Sequence, residues 1–220
     1  MCGRYTQFAS WQEIHDYFNL LGPPRNVEAR YNIAPTQDAP VIRLTEQGRE
    51  LSMLRWGLIP FWAKDGKIGY RTINARSETV AEKPSFREAY KKRRCLIPAT
   101  GFYEWQKTPG GKVPHHIVPL DGLWAFAGLW ERWEKGDEPL ETFTILTTTA
   151  AKSIKSIHPR MPTILDPSDY DAWVNPEGDA DTLERLAGKQ FPDDKMRAYP
   201  VSTRVNTPKN DDAELIEEAA

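Results

Sequence analysis

The apolar residues of this chain fall into short runs separated by turn residues, and few stretches carry helical spacing. Gly3–Thr6 reads as a strand. Ser10-Trp11-Gln12-Glu13 then has the form of a capping box, and Trp11, Ile14, Phe18 and Leu21 recur at helical spacing before Gly22-Pro23-Pro24 stops the helix. Tyr31–Thr36 is extended and punctuated by proline. Val41–Leu44 and Leu51–Trp56 predict a hairpin turned at Glu46-Gln47-Gly48. A short helix follows over Ser85–Lys92, and the run Lys91-Lys92-Arg93-Arg94 at its end is expected to be a solvated face where cations suit the helix dipole.

The middle is rich in strands: Cys95–Pro98, Gly101–Trp105, Val113–Pro119, Leu123–Trp133 and Thr142–Thr148, with turns at Pro109-Gly110-Gly111 and Asp121-Gly122. Ala150–Ile157 reads as a short helix. Asp166-Pro167-Ser168-Asp169 is a helix start with proline in the first turn, and Ala180–Ala187 forms another helix. A strand over Arg197–Arg204 precedes an acidic tail. With no internal repeat and no linker, the pattern predicts a single α+β domain over 1–220, its ordered core about 2–210. A strongly bent, barrel-like mixed or antiparallel sheet is expected, flanked by short helices.

Composition narrows the function. The 220 residues carry 29 Lys+Arg against 31 Asp+Glu, a formal charge of −2, which argues against a protein coated in basic residues for duplex DNA. A local basic groove stays open, because the phosphate term depends on where the cations sit. The two cysteines, Cys2 and Cys95, make a disulfide framework or cysteine-rich zinc site untenable and fit a reducing compartment. Neither a signal peptide nor an apolar run of ~18 residues is present. No cofactor and no metal is expected. His115-His116 is a poor metal pair, since neighbours on a strand point to opposite faces.

Candidate chemistry begins at Met1-Cys2-Gly3-Arg4-Tyr5. Removal of Met1 would leave Cys2 with a free α-amine beside its thiol, a 1,2-aminothiol that condenses with an aldehyde to an imine and closes to a thiazolidine. Ordinary values near 8 for the amine and 8.5 for the thiol give both a nucleophilic fraction at neutral pH. A cysteine at position two is, by itself, more often incidental. Trp56-Gly57-Leu58-Ile59-Pro60-Phe61-Trp62 is either a buried strand end or a surface on which bases stack. Glu104 lies between Tyr103 and Trp105. It is either a solvent-facing strand residue or a carboxyl whose pKa is raised for acid–base work. In His158-Pro159-Arg160-Met161-Pro162 prolines stand on either side of Arg160 and stiffen the loop that carries His158 and Arg160.

Taken together, Met1–Tyr5, Tyr31-Asn32-Ile33-Ala34-Pro35, Trp56–Pro60, Ile73-Asn74-Ala75-Arg76-Ser77-Glu78, Gly101–Trp105, His158–Pro162 and Pro200-Val201-Ser202 resemble the SRAP family of abasic-site processing proteins, in family order and over essentially the whole chain. The resemblance implies a sensor of abasic sites in single-stranded DNA, also at single-strand/double-strand junctions, that bonds to the lesion covalently, with lyase-type and autoproteolytic side chemistry. Cys2, Asn74, Glu104 and His158 match the family's catalytic residues. Arg4, Pro35, Trp62, Arg76 and Arg160 match its DNA contacts. The chain departs from the family at Phe61-Trp62-Ala63, where members often have a second Trp. A bacterial-type member is implied, a monomer acting in the cytoplasm at the nucleoid without contact to membrane. Two other readings compete: an N-terminal-nucleophile amidohydrolase or peptidase using Cys2, and a non-covalent single-strand binding module.

Overall fold

A computed structural model describes residues 2–23 and 25–219. In it the hairpin foreseen at Glu46 forms with full register, β3 (Asp38–Thr45) against β4 (Gly48–Trp56), from Thr45↔Gly48 to Asp38↔Arg55. Preceding it are β1 (Tyr5–Gln7), α1 (Trp11–Phe18) and β2 (Arg30–Ile33). After it come β5 (Asn74–Arg76), α2 (Arg87–Lys92), β6 (Arg94–Ala99), β7 (Gly101–Thr108), β8 (Gly111–Pro119), β9 (Trp124–Trp133) and β10 (Leu140–Thr149). The chain ends with β11 (Arg160–Pro162), β12 (Ile164–Leu165), α3 (Tyr170–Val174), α4 (Ala180–Ala187) and β13 (Met196–Pro200).

Strands β10, β4, β3, β6 and β9 pair in a ring, because β9 and β10 also pair from Leu140↔Trp133 to Ile145↔Gly128. Only the β4–β10 contact in that ring is parallel, so the barrel is closed and mixed. A second, antiparallel sheet runs β13-β8-β7-β1-β2. The bent α+β architecture expected from the sequence is what the chain adopts. Between the sheets lie Cys2, Tyr5, Trp56, Phe102, Phe126, Phe143 and Ile145, all buried. Among the described residues no helix is long and apolar enough to cross a membrane.

Local departures have local causes. The capping box of α1 forms, with Ser10 Oγ accepting from the Glu13 N–H and Glu13 from the Ser10 N–H. Asn19 takes a left-handed conformation (φ 49°) and ends the helix before Leu21, which is exposed while Leu20 is buried. Gly22 and Pro23 are described; Pro24 lies outside the described residues. Ala150–Ile157 makes only a 3-10 turn at Lys152–Ile154. Beyond Pro200 the expected strand gives way to a 3-10 turn at Thr203–Asn206. Arg94 is no solvated cation: it is 1% exposed, and its guanidinium donates to the carbonyls of Trp173 (2.7 Å), Tyr90 (2.5 Å) and Asn175. The acidic segment after 210 is tied down rather than a free tail. Asp211 accepts from the backbone N–H groups of Tyr31 and Asn32, and Leu215 is fully buried.

His116, on β8, ties together strands of the second sheet. Its ring stacks on Tyr103 with centroids 4.7 Å apart. Thr100 donates to Thr6 Oγ1 (2.9 Å), which lies 3.2 Å from His116 Nε2. His116 Nδ1 lies 3.0 Å from Tyr199 Oη, which donates to the Ile216 carbonyl. Each hydroxyl has one proton, so Thr6 donates to Nε2 and Nδ1–H donates to Tyr199; the ring is neutral with its proton on Nδ1. A Cβ on Gly101 would sit 2.4 Å from Nε2, which is why glycine precedes Phe102.

Burial, with Arg197 nearby, pushes the His116 pKa down to about 3. A folded-state pKa below the unfolded ~6.5 gives stability that is present above pH 6.5 and drains away as pH falls toward 3, at about 1.4 kcal/mol per pH unit. The urea midpoint of the parent should therefore drop between pH 7 and 4.5, and the drop should shrink in His116→Phe. Equal drops in both proteins would remove His116 as the cause.

Candidate active site

Four side chains from distant parts of the sequence meet at the start of the chain. Cys2 precedes β1 and is fully buried, its Sγ 3.8 Å from the Arg4 carbonyl. Burial, and then the Glu104 carboxylate, push the Cys2 thiol far up, so the sulfur is held as a thiol and not a thiolate. Strand β5 lies parallel to β10, with Ile145↔Asn74 and Thr147↔Arg76 in register. Ala75 is buried, and alternation puts Asn74 and Arg76 together on the other face. Asn74 Nδ2 donates to the Cys2 carbonyl at 2.7 Å, whereas Asn74 Oδ1 is buried and has no hydrogen-bond partner among the described residues.

Glu104 sits in β7, between β1 and β8. Tyr103 donates its hydroxyl to the Tyr31 carbonyl, Trp105 Nε1 donates to Asn206, and both rings belong to one cluster with Val205 and Leu215 of the C-terminal segment. Alternation turns Glu104 the opposite way, toward Cys2, and it is 3% exposed. Burial raises its pKa and the neighbouring His158 offsets part of the rise. Of the two readings of Glu104 from sequence, the buried carboxyl is the one realised. His158 Nδ1 approaches Glu104 Oε1 at 3.8 Å. The same nitrogen lies 3.1 Å from both the N–H and the carbonyl of Arg160, so it has a backbone partner whether neutral or protonated.

The arginines differ. Arg76 is exposed and, among the described residues, makes no ion pair. Arg160 grips Glu78 with two N–H groups, Nη2–Oε2 at 3.0 Å, and also donates to the Thr147 carbonyl. These bonds, with Arg76 adding to them, hold the Glu78 carboxyl below the usual range. Nothing in the sequence marked Glu78 as the residue that occupies Arg160, because a pair between β11 and the turn after β5 becomes visible only once β10 separates them. Arg4 is half-buried and braces the C-terminal segment, donating to Asn32 Oδ1 (2.9 Å), the Val205 carbonyl (2.7 Å) and the Asn206 carbonyl (3.3 Å).

Pro35 is half-buried beside Thr36, whose φ of 73° is rare for a β-branched residue and is held by Thr36 N–H to the Trp56 carbonyl. Trp62 and Phe61 stand 41% and 50% exposed on the surface, with Trp62 Nε1 donating to the Pro84 carbonyl. Trp56, by contrast, is buried against Tyr5 and Phe143, so the aromatic stretch divides between core and surface. Among the described residues no hydrogen bond joins Pro35, Trp62 or Arg4 to Asn74, Glu104 or His158. No group of three or more His, Cys, Asp or Glu that could hold a metal ion occurs among them either.

The sequence model of the SOS response associated peptidase (SRAP) family matches residues 1–208. The chain belongs to that family. It is 45% identical over 223 residues to the abasic site processing protein YoqW of Bacillus subtilis, covering 99% of each chain. To the abasic site processing protein HMCES of Gallus gallus it is 35% identical, covering 84% of this chain and 65% of that one. A crystal structure of a protein from Bacteroides thetaiotaomicron superposes over 100% of both chains with a TM-score of 0.90 at 28% identity.

Proposed function

We propose that this SRAP protein processes abasic sites by capturing them in single-stranded DNA as a covalent adduct on Cys2. The observation that carries this reading is the convergence of Cys2, Asn74, Glu104 and His158 at the chain's start, in a family whose named relatives are abasic site processing proteins. Removal of Met1 frees the Cys2 amine, by the family's own peptidase chemistry or by a separate aminopeptidase. The amine adds to the C1′ aldehyde of the ring-opened sugar. Loss of the resulting hydroxyl as water, protonated by the Glu104 carboxyl, gives an iminium. Sγ then bonds to C1′ as the thiol gives up its proton, closing the thiazolidine; aldehyde plus aminothiol becomes thiazolidine plus water. An iminium that escapes sulfur capture acidifies the neighbouring sugar proton and opens a β-elimination route, the lyase side reaction.

The pieces suit these roles. A buried carboxyl with a raised pKa holds its proton to a higher pH than an exposed one, which suits a proton donor. Asn74 fixes the Cys2 carbonyl, and its unpartnered Oδ1 is an acceptor for the amine or a sugar hydroxyl. His158 lies close enough to Glu104 to assist ring opening. Arg76 offers an unoccupied guanidinium to a phosphate, and Arg160 does so by exchanging Glu78 for it. Pro35 and Trp62 form a wall that favours a single strand or a junction over continuous duplex, and Arg4 serves that surface through its brace on the C-terminal segment.

One denaturing gel tests the reading. Met1-free protein is mixed with abasic and with intact oligonucleotides, after intact mass has established the free Cys2 terminus. A shifted band with abasic DNA alone is expected, and Arg76→Ala should bind with a salt slope shallower by about 0.7, one phosphate on a single strand. No band from correctly processed protein would overturn the covalent reading, and shifted bands with intact DNA as well would deny it abasic specificity.

A further inference from the structure

Arg76 and Arg160 stand on either flank of β10, Arg76 opposite Thr147 and Arg160 opposite Thr149, yet they are not equally open to an anion. Glu78, in the 3-10 turn Ser77–Thr79 that follows β5, reaches across to Arg160. Its two oxygens take one N–H each from Nη1 and Nη2, the fork that a phosphate would otherwise fill. Nη2 also donates to the Thr147 carbonyl and lies 3.3 Å from Thr147 Oγ1, so the guanidinium is fastened to the sheet. The Arg160 side chain is 17% exposed and that of Glu78 50%, which makes the carboxylate the partner that can swing away.

Leaving Arg160 is unfavourable for Glu78. The groove it lines also holds Glu82 and Glu184, with no cation among its lining residues. Among the described residues neither Glu82 nor Glu184 makes an ion pair. An expelled carboxylate therefore meets like charge. Besides Arg160, the cation that helps to keep Glu78 ionised is Arg76, which an incoming strand engages as well. A phosphate that reaches Arg160 must thus outcompete a carboxylate held on the same chain, whereas Arg76 is met freely. This competition falls on every strand alike, because phosphates carry no information about a missing base. An abasic strand differs in the bond it can form at Cys2, and that bond holds however weak the reversible grip.

We propose that Glu78 is a specificity-determining residue, an internal competitor for the phosphate at Arg160 that loosens the grip on intact single strands so that only strands bonded at Cys2 stay. The selectivity rests on the capture reading, while the competition rests only on Arg160 meeting a phosphate. Anisotropy of labelled intact oligothymidylate, followed against salt, tests the competition. Glu78→Gln, and equally Glu78→Ala, should bind about three- to ten-fold more tightly than the parent at low salt. The salt slope should steepen by about 0.7, since Arg160 then faces the strand uncompensated. Arg160→Ala should erase the gain, costing more affinity in the Glu78→Gln background than in the parent. Glu82→Gln removes the same charge from the same groove without touching Arg160, and should tighten binding much less. Excess intact oligothymidylate should suppress adduct formation on an abasic strand at a correspondingly lower concentration in Glu78→Gln than in the parent. Binding by both Glu78 variants that is no tighter than the parent's overturns the inference. Equal gains from Glu82→Gln and Glu78→Gln, or a gain that survives Arg160→Ala, reduce the effect to bulk charge and overturn it too. A parent protein that forms no adduct, alongside a gain that Arg160→Ala erases, would instead remove the capture reading and leave the competition at Arg160 standing.

Discussion

Cys2→Ala, freed of Met1, is expected to lose the denaturant-resistant adduct with abasic DNA completely while still forming a borohydride-trappable imine. The α-amine survives the substitution, so condensation with the aldehyde survives too; only the sulfur that closes the ring is gone. Cys2→Ser should behave in the same way, because the oxazolidine open to it reverts more readily than a thiazolidine. In both variants strand cleavage at the lesion should rise, since nothing competes with elimination from the iminium. The order of steps has a physical basis in the site. The buried Cys2 thiol is pushed far up by its surroundings and by Glu104, so it is a poor first nucleophile at neutral pH. A cationic iminium formed beside it reverses that balance by favouring the thiolate. One denaturing gel with and without borohydride, scored for adduct and cleaved strand, reads both effects. A heat-stable adduct from Cys2→Ala would assign the nucleophile elsewhere, and loss of imine trapping in both variants with binding intact would put sulfur attack first.

How far the sequence reaches depends on whether a residue's environment is set locally. The capping box at Ser10 and the hairpin at Glu46-Gln47 follow from patterns a few residues long, and each forms as expected; at Glu104 the local pattern left two readings open, and the fold decides between them. Arg94 is different. Its place at the end of a basic run reads as solvated, yet strand β6 is buried along its whole length and the carbonyls of Trp173 and Asn175, some 80 positions away in sequence, hold the guanidinium inside. Glu78 is of the same kind: its role exists only because β10 lies between β5 and β11 and brings Arg160 across. The quartet proposed as catalytic was legible through its resemblance to a family, not through spacing, since residues 2, 74, 104 and 158 are joined by no local period.

Glu104→Gln should slow adduct formation by about 10²–10⁴-fold while the fold and the affinity for single strands stay intact. Glutamine preserves the size of the side chain and its neutral state but cannot pass a proton to the departing hydroxyl. The pH dependence sharpens the test. In the parent, the rate rises as the Cys2 amine, ordinarily near 8, loses its proton, and falls as Glu104 ionises above its raised pKa, so the profile has two limbs. Glu104→Gln should keep the amine limb and lose the other. Stability should move the opposite way to activity. A carboxyl whose folded pKa is raised stabilises the fold fully below its unfolded pKa, and that contribution is lost as pH climbs through the folded value. Glutamine never ionises, so the variant should be at least as stable as the parent at pH 8 and less dependent on pH between 5 and 8. His158→Ala should show a smaller defect in formation and a larger one in reversal, as expected of a group 3.8 Å behind the acid that protonates a leaving oxygen. A Glu104→Gln protein that crosslinks at the parent rate would reduce Glu104 to a buried strand residue. One that loses activity and stability together would make its role structural, because an acid–base role alone cannot lower the urea midpoint.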